Sequence, residues 1–284
     1  MYYNWEGDLI LQDTVIEKKR FVIGSQNKPI KTDIREWISF EDNNIMKGII
    51  RELVSKKGLP TSRGPGSFDK RAMIIWDFVA KDIKYVHDTK KQRKGDFWLF
   101  PPEIHTLCEG DCEDGSFLLV SLLIASGISP FCVRVVLGEV FDENGKSLGG
   151  HCWPVYKNEI GQWCILESTL DNIPSRIPEA DKLTEEGQSF QYLPYCCFNN
   201  YHLWEIFPKD KTSRSMKIGS YLRQRGNKVH MKETRLPSGG WLSRITGDWE
   251  PGHLEITSEV SGSFWFHRCG VCAGICPASA IRKV

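Results

Sequence analysis

Residues 112–126, "CEDGSFLLVSLLIAS", form the most apolar helix-length run in the chain, closed by Gly127. The run falls short of the roughly 18 apolar residues of a membrane span and predicts a central buried helix. Everything else must pack around it. No other stretch approaches a membrane-spanning length, and no membrane partner is expected. A chain of 284 residues has enough apolar surface to enclose such a helix in one main domain with appended segments. With 40% hydrophobic and 26% charged residues, the composition is that of a folded globular protein.

Upstream of this helix the first 24 residues read as short strands broken by charged turns. In "EDNNIMKGIIRELVSKKG", Ile45, Ile49, Ile50 and Leu53 recur at helical spacing between an acidic start and a Lys-Lys-Gly finish, which predicts a helix. "LPTSRGPGS" reads as a loop, "FDKRAMIIWDFVAKDI" as a second helix, "KYVHD" as an extended piece and "KKQRKGDFWLFPPEI" as a charged, aromatic loop. Downstream, "FCVRVVLGEVF", "HCWPVY" and "WCILEST" are separated by turn signals at "DENGKSLGG" and "NEIGQ" and predict a three-stranded antiparallel meander. The expected class is α/β in the α+β sense, a central helix packed on an antiparallel sheet.

The start of the central helix carries chemistry. "HTLCEGDCEDG" sets His105, Cys108 and Cys112 close together, which suggests three ligands of a zinc site. A fourth ligand and the paired Cys-x-x-Cys knuckles are missing, and Cys112 opens an apolar helix rather than a metal-stabilised turn. The nucleophile reading explains more. First-turn N–H groups and the positive dipole end acidify a thiol placed there, and the same groups can hold the oxyanion formed when a thiolate attacks a carbonyl. Asp111 is the expected N-cap and Asp114 the expected support of the first turn. Of the ten cysteines, Cys132, Cys152 and Cys164 lie in strand-like apolar runs and are expected to be buried small hydrophobes.

A nucleophilic cysteine needs an imidazole, and a third group to orient it. Of the seven histidines, His87, His202, His230 and His253 sit in polar or mixed surroundings that suit ordinary solvated side chains. His151 opens a strand directly after "LGG", where small residues admit a substrate chain. Glu167 lies at the far end of the next strand, where antiparallel pairing can set it beside His151, with Asp171 as the reserve acid.

The blocks "GDCEDGSFLLVSLLIASGISPFCVRVVLGEV", "GGHCWPVY" and "WCILEST", in that order, resemble the transglutaminase-like superfamily of papain-like cysteine enzymes, especially its bacterial and archaeal members. The family pattern is a Gly-x-Cys-x-Asp helix start, an apolar helix ending in Gly-Ile, a valine-rich strand, a His-x-Trp strand and a Trp-led strand ending in Asp-x-Thr. Upstream, "AMIIWDFVAKDIKYVHD" and "GDFWLFPPE" extend the resemblance to roughly residues 70 to 170. It implies a papain-like transglutaminase core in which Cys112 matches the nucleophile, His151 the general base and acid, and Glu167 the orienting carboxylate; the family usually has Asp at this last position. Trp98 either helps build the oxyanion hole or serves as an aromatic platform over the helix. The implied layout is an accessory segment at 1–66, a catalytic core at 67–208, a basic extension at 209–262 and a cysteine-rich tail at 263–284.

The implied activity is acyl transfer on amide bonds of a protein or peptide substrate through a thioester. Hydrolysis, as a protease or amidase, is favoured over amine transfer, because water is always available and amine transfer needs an acceptor groove. The triad itself needs no cofactor. The alternative is a non-catalytic interaction protein built on the same fold. "MYYNWEGDLI" lacks the basic start and apolar run of a secretory signal, and the expected location is the cytoplasm.

Two further segments stand apart. Residues 211–235 carry eight Lys or Arg against the single Glu233, which suits a solvated arm, an acidic partner or nucleic acid. The tail "FHRCGVCAGICPASAIRKV" resembles part of a bacterial-type ferredoxin motif, with Cys269, Cys272 and Cys276 in register and Phe266 where the first cysteine would stand. A 4Fe-4S cluster there would need a borrowed ligand such as His267, Cys196 or Cys197, or a second chain; the alternatives are a zinc clip or cysteines that simply pack. Iron, sulfide and zinc analysis of anaerobically purified protein tests this: a bound site gives a stoichiometric amount, and packing cysteines give none.

Overall fold

The computed structural model describes residues 3–10, 15–21, 29–87, 97–184 and 189–206, and the backbone of 230–235, 241–246 and 256–257. In chain order the elements are β1 (Asp8–Ile10), β2 (Val15–Phe21), β3 (Pro29–Asp33), α1 (Asn44–Lys57), α2 (Ser67–Asp82), β4 (Lys84–Tyr85), α3 (Pro101–Leu107), β5 (Glu109–Gly110) and α4 (Cys112–Ala125). Then follow β6 (Val133–Asp142), β7 (Ser147–Lys157), β8 (Trp163–Ile165), α5 (Ala180–Leu183), β9 (Phe190–Phe198), β10 (Leu203–Glu205), β11 (His230–Arg235), β12 (Trp241–Thr246) and β13 (Ile256–Thr257). The basic residues 211–229 and the tail 263–284, with Cys269, Cys272 and Cys276, lie outside the described residues.

The central helix is buried as its composition demands: Cys112 through Ile124 of α4 are all shielded from solvent. α1 and α2 cover it from one side. In α1 the side chain of Asn43 accepts the Ile45 N–H at 2.8 Å, and Gly58 ends the helix in the left-handed region at φ 66. Its buried stripe is Met46, Ile49 and Leu53, whereas Ile45, expected on that stripe, faces solvent. Met46, wholly buried in the same core as Trp37, Trp76 and Phe117, completes the stripe three residues before Ile49. α2 begins where the turn after β7 reaches it. Glu159 accepts the N–H groups of Gly66 and Phe68, and Asp69 accepts both the Tyr156 hydroxyl at 2.7 Å and the Glu159 N–H at 3.1 Å.

On the other side of α4 lies a six-stranded sheet in the order β1-β10-β9-β6-β7-β8, with every neighbour antiparallel. The expected meander is its β6-β7-β8 half. Both faces of the sheet are apolar. One packs on the helices, and the other collects Tyr3, Trp5, Trp153, Trp163, Tyr192 and Trp204. Arg134 is buried on that second face, with its guanidinium 3.8 Å from the Trp204 ring and 4.5 Å from Trp163, and it donates to the carbonyls of Trp5 at 2.9 Å and Glu6 at 3.1 Å. The aromatic faces and carbonyls offset its desolvation and fasten residues 3–7 across the sheet.

One stretch differs from expectation. "PPEIH" belongs to a short helix, α3, rather than to a loop, because its prolines occupy the first helical turn, where no N–H partner is needed, and Glu103 reaches back to the Phe100 N–H at 2.8 Å. Cys152 and Cys164 are buried as read, and burial raises the Cys164 thiol to about 12. Cys132 is only half-buried. Cys196 and Cys197 are wholly enclosed in β9. Among the described residues no helix is long and apolar enough to cross a membrane.

The register of β6 depends on Gly138, where a Cβ would lie 2.3 Å from the Leu193 carbonyl and 2.5 Å from the Trp153 ring, both held in the sheet. Gly138→Ala is expected to cost about 2–3 kcal/mol in urea unfolding. Gly48→Ala, in α1 with nothing within 4 Å of the added atom, is expected to add about 0.5–1 kcal/mol.

Candidate active site

The first turn of α4 is anchored from three directions. Asp114, fully buried, accepts the Leu99 N–H at 2.8 Å through Oδ1 and the Asp111 N–H at 3.4 Å through Oδ2, which pins residues 97–100 against the helix start. Ser116 Oγ lies 2.6 Å from the Cys112 carbonyl and 3.2 Å from that of Cys152, and so donates between the helix and the residue after His151. A Cβ on Gly115 would sit 2.9 Å from Ser168 Oγ, so only glycine lets the helix come this close to the residue after Glu167. The segments carrying His151 and Glu167 therefore meet at the turn that begins with Cys112.

His151 is fully enclosed and its Nε2 lies 2.8 Å from Glu167 Oε2. The other ring nitrogen, Nδ1, is buried as well. The imidazole lies nearly parallel to Trp153, with centroids 5.9 Å apart and an interplanar angle of 25°. Glu167 is held at both oxygens: Oε1 accepts the Thr169 N–H at 3.0 Å and the Thr169 hydroxyl at 2.7 Å, and Oε2 accepts the Tyr192 hydroxyl at 3.0 Å besides His151. The indole N–H of Trp76 donates to the Glu167 carbonyl at 2.8 Å. Burial alone would raise the carboxyl's pKa, but the field and hydrogen bond of His151 and the two bonds from Thr169 outweigh it and hold the group below its usual range.

Cys112 is 1% exposed, and its thiol donates to Glu113 Oε2 at 3.0 Å. Asp171, the reserve acid, is exposed, whereas His151 is bonded to Glu167. The Trp98 ring is buried against Phe117 of α4, with centroids 4.7 Å apart, and stands edge-on to Trp37 at 5.4 Å; Lys18 Nζ lies 4.6 Å from its centre. His105 and Cys108 stand on and just after α3, where the Cys108 thiol donates to the His105 carbonyl at 3.2 Å. Among the described residues no group of three or more His, Cys, Asp or Glu side chains is placed to hold a metal ion.

Sequence reasoning passed over Glu113, Tyr192 and Trp76. Glu113 has the appearance of an ordinary first-turn acid, and Tyr192 and Trp76 act from elements far from the motif. Thr169 had a signal, since it closes the "EST" block.

Residues 58–168 match the family model of the transglutaminase-like superfamily, close to the 70–170 expected, and this segment carries a transglutaminase-like α/β core. Among solved structures, LapG of Legionella pneumophila is similar at 19% identity over 63% of this chain and 96% of that one, with a TM-score of 0.36. Its calcium-bound form is similar at 20% identity over 63% of this chain and 98% of that one, also with a TM-score of 0.36. No curated protein matches the chain.

Replacing Glu167 by Gln is expected to lower stability at pH 7 by about 2 kcal/mol, measured by urea unfolding. A carboxyl whose folded-state pKa is depressed contributes stability that is complete above its unfolded value, about 4.3, and is lost as pH falls through the folded one. The difference between wild type and Glu167→Gln should therefore persist from pH 7 to about 5 and close only in stronger acid.

Proposed function

We propose that the transglutaminase-like core of this chain is a cysteine enzyme that cleaves amide bonds of a protein or peptide substrate, with Cys112 as nucleophile, His151 as general base and acid, and Glu167 as the carboxylate that orients the imidazole. The observation that carries this reading is the buried His151–Glu167 pair beside a helix that begins with a cysteine. In the reaction the Cys112 thiol passes its proton to His151 Nδ1, and the thiolate attacks the amide carbonyl carbon. The oxyanion is held at the start of α4, where the positive end of the helix dipole favours developing negative charge. His151 then protonates the departing amine, a thioester remains on Cys112, and water activated by His151 releases the acid. Glu167, with a depressed pKa, stays ionised near neutral pH and stabilises the imidazolium that appears in both steps. Water is favoured over an amine as the resolving nucleophile because it requires no acceptor groove.

A second reading, a non-catalytic interaction protein, is favoured by one observation: the Cys112 thiol is enclosed and bonded to Glu113. Iodoacetamide separates the two, with the exposed Cys108 as an internal reference read by peptide mass. An activated nucleophile is alkylated at pH 7 roughly tenfold faster than Cys108 or more, and His151→Ala removes that advantage. Equal or slower labelling of Cys112, unaffected by His151→Ala, would establish the interaction protein instead. Glu113→Gln takes away the anionic acceptor of the thiol, and Cys112 labelling at pH 7 is expected to rise several-fold, on the order of 3 or more.

A further inference from the structure

The Glu167 carboxylate receives donors of different origin. Thr169 is two residues along the same segment, so its N–H and hydroxyl travel with Glu167 wherever that segment goes. His151 is the group being served. Tyr192 is neither: it stands on β9, separated from β7 by β6, and its hydroxyl reaches Oε2, the same oxygen that holds His151 Nε2. Its ring meets Trp153 edge-on at 5.1 Å and 75°, and lies 6.2 Å from the His151 ring. The phenol is buried, and burial together with the neighbouring carboxylate raises its pKa well above the ordinary value, so it remains a donor at every pH of interest.

Two donors on one carboxylate oxygen compete for its charge. A phenol bonded to Oε2 withdraws part of the charge that would otherwise hold the imidazolium proton at Nε2. It also favours the ionised carboxylate over the protonated one. Because Tyr192 is carried by the sheet and not by the loop of Glu167, it also fixes where Oε2 stands relative to β7. We propose that Tyr192 is a positioning residue that sets the proton affinity of the Glu167–His151 pair, and with it the pH range over which Cys112 is reactive. This rests on the reading of Cys112 and His151 as the working pair.

The test uses the full chain, with iodoacetamide as probe and peptide mass to isolate labelling at Cys112, from pH 5 to 10. In wild type the profile contains a step where the imidazolium loses its proton. Tyr192→Phe keeps the ring and removes the donor, so Oε2 holds the imidazolium more tightly and the step moves to higher pH by about half a unit or more. 3-Fluorotyrosine at position 192 keeps shape and packing and donates more strongly, and it moves the step to lower pH; it serves equally if the Phe variant does not fold. A purely structural role would reduce labelling without moving the step. If the step stays at its wild-type pH in the variants that fold, or moves opposite to these directions, the inference is overturned. His151→Ala distinguishes the two levels. If it leaves Cys112 labelling as in wild type, the underlying reading fails; if it abolishes the step while the Tyr192 variants leave it in place, only the role of Tyr192 fails.

Discussion

A helix shielded from solvent along its whole length cannot leave the polar groups of its first turn to water, and the rest of this structure answers that constraint. α4 enters the core at Cys112, where Asp111 and Asp114 cap the first turn reciprocally and Asp111, Glu113, Asp114 and Ser116 all lie out of solvent. Asp111 and Glu113 are met within the helix start itself, and the others from elsewhere in the chain. Asp114 engages Leu99, Ser116 engages the Cys152 carbonyl, and Gly115 lets the segment after β8 approach within van der Waals distance. Satisfying the helix start draws the loop before α3, the strand of His151 and the segment of Glu167 to one point. The site is a consequence of that packing.

Two buried carboxylates meet at this point. Glu167 sits among donors from His151, Thr169 and Tyr192, which hold its pKa below the usual range despite burial. Glu113 accepts the hydrogen of the Cys112 thiol at 3.0 Å.

Much of this was legible in residue order. The uniform apolarity of 112–126 requires enclosure, the β6-β7-β8 meander follows from strand runs of that length with turn signals between them, and the order Cys112, His151, Glu167 marks the pair that the fold brings to hydrogen-bonding distance. The less legible parts share a cause. α3 was obscured by its two prolines, which suppress a helical reading although they fit a first turn. Met46 takes the place expected of Ile45 because neighbouring rings in the core decide which side of α1 faces inward. Tyr192 and Trp76 reach Glu167 across 25 and 91 residues of chain, and no local pattern records such a contact.

Sequence by itself therefore determined α1, α2, the buried α4, the β6-β7-β8 meander and the residue types at the start of α4, because these depend on local hydrophobic periodicity and on the backbone needs of a helix terminus. Only the tertiary structure decided the protonation chemistry. Which nitrogen of His151 is engaged, how many donors hold Glu167 and what the thiol of Cys112 meets are set by side chains that become neighbours only after the sheet and helices close. At those burial levels, each such neighbour weighs as much as the intrinsic chemistry of the group itself.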